Sequence, residues 1–105
     1  ESLTLIDPAG ATYQVRFDEI LSLQIQYDPD FGTCVSGEET ETCRYGAWRN
    51  DAWGEYILCA LSDVDQVVVV KARDKTVVFN VENADTTKEF YSAFQELLAQ
   101  RSAGA

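Results

Sequence analysis

The chain has 105 residues, the size of one domain, and its 46% apolar and 25% charged residues exclude a disordered chain. Eight Lys and Arg against eighteen Asp and Glu give a net charge of −10, which argues against nucleic acid and anionic lipid as partners, since both require clustered positive charge. No His occurs anywhere, so imidazole-based catalysis and His-ligated metals are excluded.

The chain opens on Glu1 and contains no Met, so it reads as a processed product or a piece of a longer protein. No apolar stretch approaches the roughly 18 residues that a spanning helix needs. Leu3 to Ile6 is a short β-like run, and Asp7-Pro8-Ala9-Gly10 reads as a turn. Thr12 to Phe17 alternates, with Tyr13, Val15 and Phe17 on one face, so the two runs predict a first hairpin. Asp18-Glu19-Ile20 fits a single helical turn. Leu21 to Tyr27 alternates strictly and predicts a strand with Leu21, Leu23, Ile25 and Tyr27 facing inward. Asp28-Pro29-Asp30-Phe31-Gly32 ends it, because Pro cannot continue a ladder and Gly permits a turn.

Thr33 to Ser36 and Thr40 to Tyr45 are weaker strands around an insert flanked by Cys34 and Cys43. If Val35 to Thr42 is a hairpin loop, the two cysteines face each other and a disulfide closes it, which implies an oxidising compartment. The alternative is a pair of reduced thiols. Cys59, in the apolar run Tyr56 to Leu61, reads as a thiol packed as a small hydrophobe. Three thiols without His fall short of the usual four-ligand zinc site, so no metal and no cofactor are expected.

Tyr45 to Tyr56 is aromatic and punctuated by glycine, with a turn at Asn50-Asp51. Glu55 to Leu61 forms the next strand, and Ser62 to Asp65 a polar connection. Gln66 to Ala72 and Thr76 to Val81 are β-branched and separated tightly by Arg73-Asp74-Lys75, which predicts a hairpin. The last element changes period. After the polar run Glu82 to Asp85, Thr86-x-x-Glu89 matches a capping box. Phe90, Tyr91, Phe94, Leu97 and Leu98 then form one apolar stripe on a helix of about four turns. Lys88 and Glu96 point outward, and Arg101 suits the helix dipole. Residues 1–101 make a single domain, and Ser102 to Ala105 a flexible tail.

About seven short strands and one final helix predict a mainly β fold: an antiparallel barrel or sandwich, its open end plugged by the helix. The strand Leu21 to Tyr27, the segment Tyr45-Gly46-x-Trp48 followed by Gly54-x-Tyr56, the hairpin Val67 to Val81 and the helix carrying Phe90 and Phe94 together resemble the bacterial pleckstrin-homology-like (PH-like) domains, a family of uncharacterised proteins. The resemblance covers about Leu21 to Leu98. It implies an interaction scaffold within a larger bacterial protein, membrane-tethered or extracytoplasmic, with the cytoplasmic face as the other placement. Contact with a membrane would then come only through a segment outside this chain. Relatives that bind phosphoinositides use a basic cluster in the first hairpin loop. Here Asp7 to Ala11 carries no Lys or Arg, so that property does not carry over.

Tyr45, Trp48, Trp53 and Tyr56 crowd into twelve residues, either filling barrel corners or forming a patch for a protein partner. Trp48 and Trp53 flank a turn and are the better candidates for exposure. Glu38, Glu39 and Glu41 read as a solvated loop tip. Asp28-x-Asp30-x-Gly32 lacks the later ligands of a calcium loop. Asp63 and Asp65 fall in a loop, and no base stands ready for a Ser or Thr nucleophile. The expectation is a non-catalytic interaction module that binds a protein partner or its own full-length chain. The alternative is a small-ligand or metal-binding domain using the barrel mouth or the acidic loops.

Overall fold

The computed structural model describes residues 2–6, 10–81 and 83–104, with backbone alone for 84 and 101–104. The turn residues Asp7, Pro8 and Ala9, Glu82 of the polar run, Ala105 and the Arg101 side chain lie outside the described residues. Eight strands and one helix follow in order: β1 (Ser2–Ile6), β2 (Thr12–Arg16), β3 (Ile20–Tyr27), β4 (Thr33–Glu39), β5 (Cys43–Asn50), β6 (Gly54–Leu61), β7 (Gln66–Ala72), β8 (Thr76–Phe79) and α1 (Ala84–Gly104). A 3-10 turn at Phe17–Glu19 joins β2 to β3. The fold is mainly β with a C-terminal helix.

β1 and β2 pair as a separate hairpin, and the other strands form one sheet in the order β3-β7-β8-β6-β5-β4. Every neighbouring pair is antiparallel except β6 and β8, which run parallel. The expected wholly antiparallel shell is corrected here. The connection Ser62–Asp65 carries β6 past one strand position to β7, and β8 then turns back into the vacant position beside β6.

The sheet curls without closing. Laid flat, six strands would span about 24 Å from β3 to β4. The five residues between Tyr27 and Thr33 reach at most about 21 Å, and they are not extended, with φ of 45° at Asp28 and 80° at Gly32. The ends of β3 and β4 are therefore drawn toward each other, yet the two strands do not pair. Tyr56 donates its hydroxyl to the Phe31 carbonyl at 2.7 Å, and Asn50 donates its side-chain amide to the Asp30 carbonyl at 2.8 Å, fixing the crossing segment over one face. Of the predicted barrel or sandwich, the closed barrel is thus corrected to an open, curled sheet.

Val67 to Val70 are all fully buried because both faces of β7 are covered. On one face, Val68, Val70, Val77 and Phe79 pack against Val15 of β2 and Phe94 of α1. On the other, Val67, Val69, Val78 and Leu58 pack with Trp48 and Tyr56 beneath Phe31 and Trp53. Rings link the helix to the first face: Phe79 to Phe90 at 5.4 Å, Phe90 to Phe94 at 5.8 Å, and Phe94 to Phe17 at 5.2 Å. Lys88 and Glu96 are exposed, as the stripe predicts, but so is Leu97, at 51%.

The helix begins earlier than the capping box predicts. Asn83 is the cap, accepting the Thr86 N–H at 2.8 Å through its side chain. Thr87, fully buried, accepts the Val81 N–H at 3.1 Å and lies within reach of the Val81 and Asn83 carbonyls. The backbone stays helical through residues 102–104, where the sequence predicts a tail.

Leu21 corrects the predicted phase of β3. A register shift between Ile20 and Ser22 leaves Leu21 bulged and 68% exposed, and Ile20 takes the inward position. Tyr27, at the strand end, is 59% exposed beneath the Lys88 ammonium.

Candidate functional site

The four aromatic candidates do not form one surface. Trp48 and Tyr56 are opposite partners in β5 and β6, buried at 4% and 2% exposure. Trp48 donates its indole N–H to the Tyr45 carbonyl at 3.1 Å. Burial pushes the Tyr56 phenol well above its ordinary pKa, with Asp30 adding to the shift and Arg44 opposing it. Trp53 is half-buried and meets Tyr56 edge-on at 5.0 Å. Tyr45 lies opposite Cys59 on the other face, because residues three apart on a strand point to opposite sides. Trp48, Tyr56 and Trp53 therefore pack in the second core while Tyr45 does not, and the expectation of an exposed Trp48 is corrected.

The Cys34–Cys43 disulfide is also corrected. The hairpin turn sits at residues 40–42, so Cys34 lies across from Trp48 rather than Cys43. Trp48 and Cys43 stand five positions apart in β5, about 17 Å along the strand. Both cysteines are thiols, Cys34 exposed and Cys43 half-buried. Cys59 is half-buried against the first core.

Gly46 of the Tyr-Gly-x-Trp segment has φ of 102°, and a Cβ there would lie 2.5 Å from the Gly37 Cα. The two glycines let the backbones of β4 and β5 approach closely at this point.

The carboxylates of Asp30, Glu38 and Glu39 hold structural contacts. Asp30 accepts the Gly32 N–H at 3.0 Å, a local turn in the crossing segment. The Asp65 carbonyl accepts the Asp28 N–H at 2.7 Å. Asp28, Asp63 and Asp65 border a hollow of about 300 Å³ with Phe31 and Arg44. Among the described residues, no group of three or more Asp, Glu, Cys or His is arranged to hold a metal ion. Glu38 and Glu39 belong to β4 rather than to a loop tip. Glu39 pairs with Arg44 at 2.8 Å, and Tyr45 donates its hydroxyl to Glu38 at 3.3 Å.

Two features were not foreseen from the sequence. The first is a largely apolar cleft of about 710 Å³ between the end of β1, the start of α1 and the β5–β6 pair. Ile6, Cys43, Cys59, Leu61, Val81 and Phe90 line it, with Asn80 and Thr86 supplying polar atoms. Its walls come from five segments far apart in sequence, so no local pattern announces it. The second is the outer edge of β4, a strand that the sequence predicts only over Thr33 to Ser36. All seven of its residues are exposed, and among the described residues no strand pairs with its outer edge. Its polar, non-alternating sequence Thr33-Cys-Val-Ser-Gly-Glu-Glu39 is the available signal, since charges and bulges are typical of a sheet edge. A register shift between Cys34 and Ser36 supplies such a bulge.

No protein-family model, no curated protein and no solved structure matches the chain.

Proposed function

We propose that the chain is a non-catalytic protein-interaction module that takes up an extended segment of its partner along the outer edge of β4. The observation that carries this reading is the seven-residue edge, exposed throughout and unpaired on its outer side among the described residues. Main-chain groups on such an edge supply affinity for an added strand, and neighbouring side chains supply selectivity. Two lysines hold structural contacts: Lys75 donates to the Gln14 carbonyl at 3.0 Å, and Lys88 lies over the Tyr27 ring.

The kinship with PH-like domains belongs to the same proposal, together with a place in a larger, membrane-tethered bacterial protein. A curled open sheet with a C-terminal helix packed on it supports the kinship, and the parallel β6–β8 pair departs from it. The cleft beside Phe90 favours a second reading, a site for a small apolar ligand, because its volume falls in the range of ligand pockets.

Amide exchange tests the first reading. A neutral strand-forming peptide of four Gln-Thr repeats should protect amides of β4, and Glu39→Pro should abolish that protection. Protection confined to amides around Phe90 and Cys59 would replace the β4 reading with the cleft.

A further inference from the structure

We propose that the β4 edge selects a basic extended segment, with Lys or Arg side chains set against Glu38 and Glu39. This inference rests on the strand-addition reading and specifies the chemistry of the partner. Thr40 and Cys43 close the β4–β5 hairpin, with the Thr40 N–H donating to the Cys43 carbonyl at 2.8 Å. Hydrogen-bonded and non-hydrogen-bonded pairs alternate along an antiparallel ladder. Counted back from Thr40, that alternation assigns the main-chain groups of Glu38 and Ser36 to β5 and those of Glu39 and Gly37 to the open edge. The bulge beside Val35 ends that regular stretch, so the docking window is Ser36 to Glu39.

Charge decides what enters the window. Glu38 and Glu39 project to opposite faces, so both sides of an incoming strand meet a carboxylate. Glu41 follows in the turn, and among the described residues Arg44 is the one cation paired within this group. Arg44 is also held over the Phe31 ring, at 5.0 Å. Three carboxylates thus outweigh one guanidinium along the edge. Opposite charges across a ladder stabilise pairing, and like charges oppose it. A second copy of this chain would bring its own Glu38 and Glu39, and a further net charge of −10, against the same edge. The carboxylates that exclude a second copy are those that attract a basic strand.

Acetylated peptides of four Lys-Thr, four Gln-Thr or four Glu-Thr repeats test this against the intact chain. The Lys peptide should shift and protect the Gly37 and Glu39 amides, and should bind at least about fivefold more tightly than the Gln peptide. Its advantage should vanish in the double variant Glu38→Gln, Glu39→Gln, and should shrink between about 50 and 500 mM salt. The variant Asp51→Asn, Asp74→Asn makes the same change in net charge elsewhere and should keep the advantage. A Lys peptide N-methylated on alternate amides should lose the protection while the protein stays unaltered. Equal binding of the Lys and Gln peptides at β4 would overturn the charge inference and leave strand addition standing. Protection of no β4 amide by any peptide would overturn both. A concentration-dependent dimer protected at Gly37 and Glu39 would overturn the inference in favour of a second copy.

Discussion

Asn80 pairs its side chain with the main chain of Leu61 as a neighbouring strand would. Its Oδ1 accepts the Leu61 N–H at 2.7 Å, and its Nδ2 donates to the Leu61 carbonyl at 3.2 Å and reaches the Val64 carbonyl at 3.3 Å. Asn80 directly follows β8, and Leu61 ends β6. The side chain thus completes the one parallel pairing after the backbone ladder stops, and ties the β6–β7 connection to it.

Asn80→Ala removes these contacts and leaves part-buried main-chain groups at Leu61 and the buried Val64 carbonyl without this partner. A loss of about 2–4 kcal/mol is expected, since an orphaned buried polar group costs its full desolvation. Urea titration followed by tryptophan fluorescence measures it through the midpoint at constant slope. A shift within error of zero would show that water replaces the amide.

Gly46→Ala should destabilise by about 2–4 kcal/mol, combining positive-φ strain with a backbone clash. The new methyl would meet the Gly37 Cα and the Ser36 carbonyl, each at 2.5 Å, and neither belongs to a flexible side chain. Gly10→Ala is the comparison. Its φ of 91° also strains a side chain, but nothing lies within 4 Å of the added atom. A smaller loss at Gly10 in thermal melts separates the close approach from the strain.

Much of this fold is legible in the sequence wherever periodicity is long and consistent. The β7–β8 hairpin, the first hairpin and the final helix all follow from their patterns. The unbroken Val67 to Val70 run is also the signature of a strand covered on both faces. Other features depend on distant choices. Leu21 is exposed because a bulge at one residue reverses the phase set by Leu23 and Ile25. The position of β8 between β6 and β7 depends on which neighbour is vacant, which no local pattern encodes. The aromatic quartet reads either as corner packing or as a partner patch, and strand parity decides which of its members share a face. Tyr45 and Trp48 stand three apart in β5 and so diverge.

The final helix is anchored through Phe94 rather than evenly along its stripe. Phe94 is 3% exposed and touches both Phe17 and Phe90, whereas Leu97 is half exposed. Phe94→Ala should cost about 3–5 kcal/mol, as large-to-small changes at packed aromatics do. Leu97→Ala should cost under about 1 kcal/mol, because little of its surface is withdrawn from water. Paired denaturant titrations give both values, and equal losses would contradict the docking described here.

The register of β4 on β5 makes a direct statement about the thiols. Intact mass should not change on reduction, and Cys34 should react with iodoacetamide before Cys43 or Cys59, because Cys34 alone is exposed. A mass gain of about two hydrogens on reduction, with Cys34 and Cys43 joined in one peptide, would show that β4 pairs in another register.

Tyr56 links stability to alkaline pH. Its hydroxyl bonds the Phe31 carbonyl at 2.7 Å, so Tyr56→Phe should cost about 1 kcal/mol near neutral pH. Burial, the largest cause, raises the phenol's pKa in the folded state above the ordinary value of about 10 in the unfolded chain. Below pH 10 both states keep the proton, and the contribution is fully present. Above it the unfolded chain ionises while the folded chain does not, so stability falls as pH rises, by up to about 1.4 kcal/mol per unit until the folded phenol also titrates. Tyr56→Phe lacks this group in both states and escapes that part of the loss. The gap between wild type and variant should therefore close, then invert, as pH climbs past 10, read from urea midpoints at successive pH values. A gap that stays constant through this window would mean that the phenol ionises equally in both states, and that the crossing segment at Phe31 does not seal it from water.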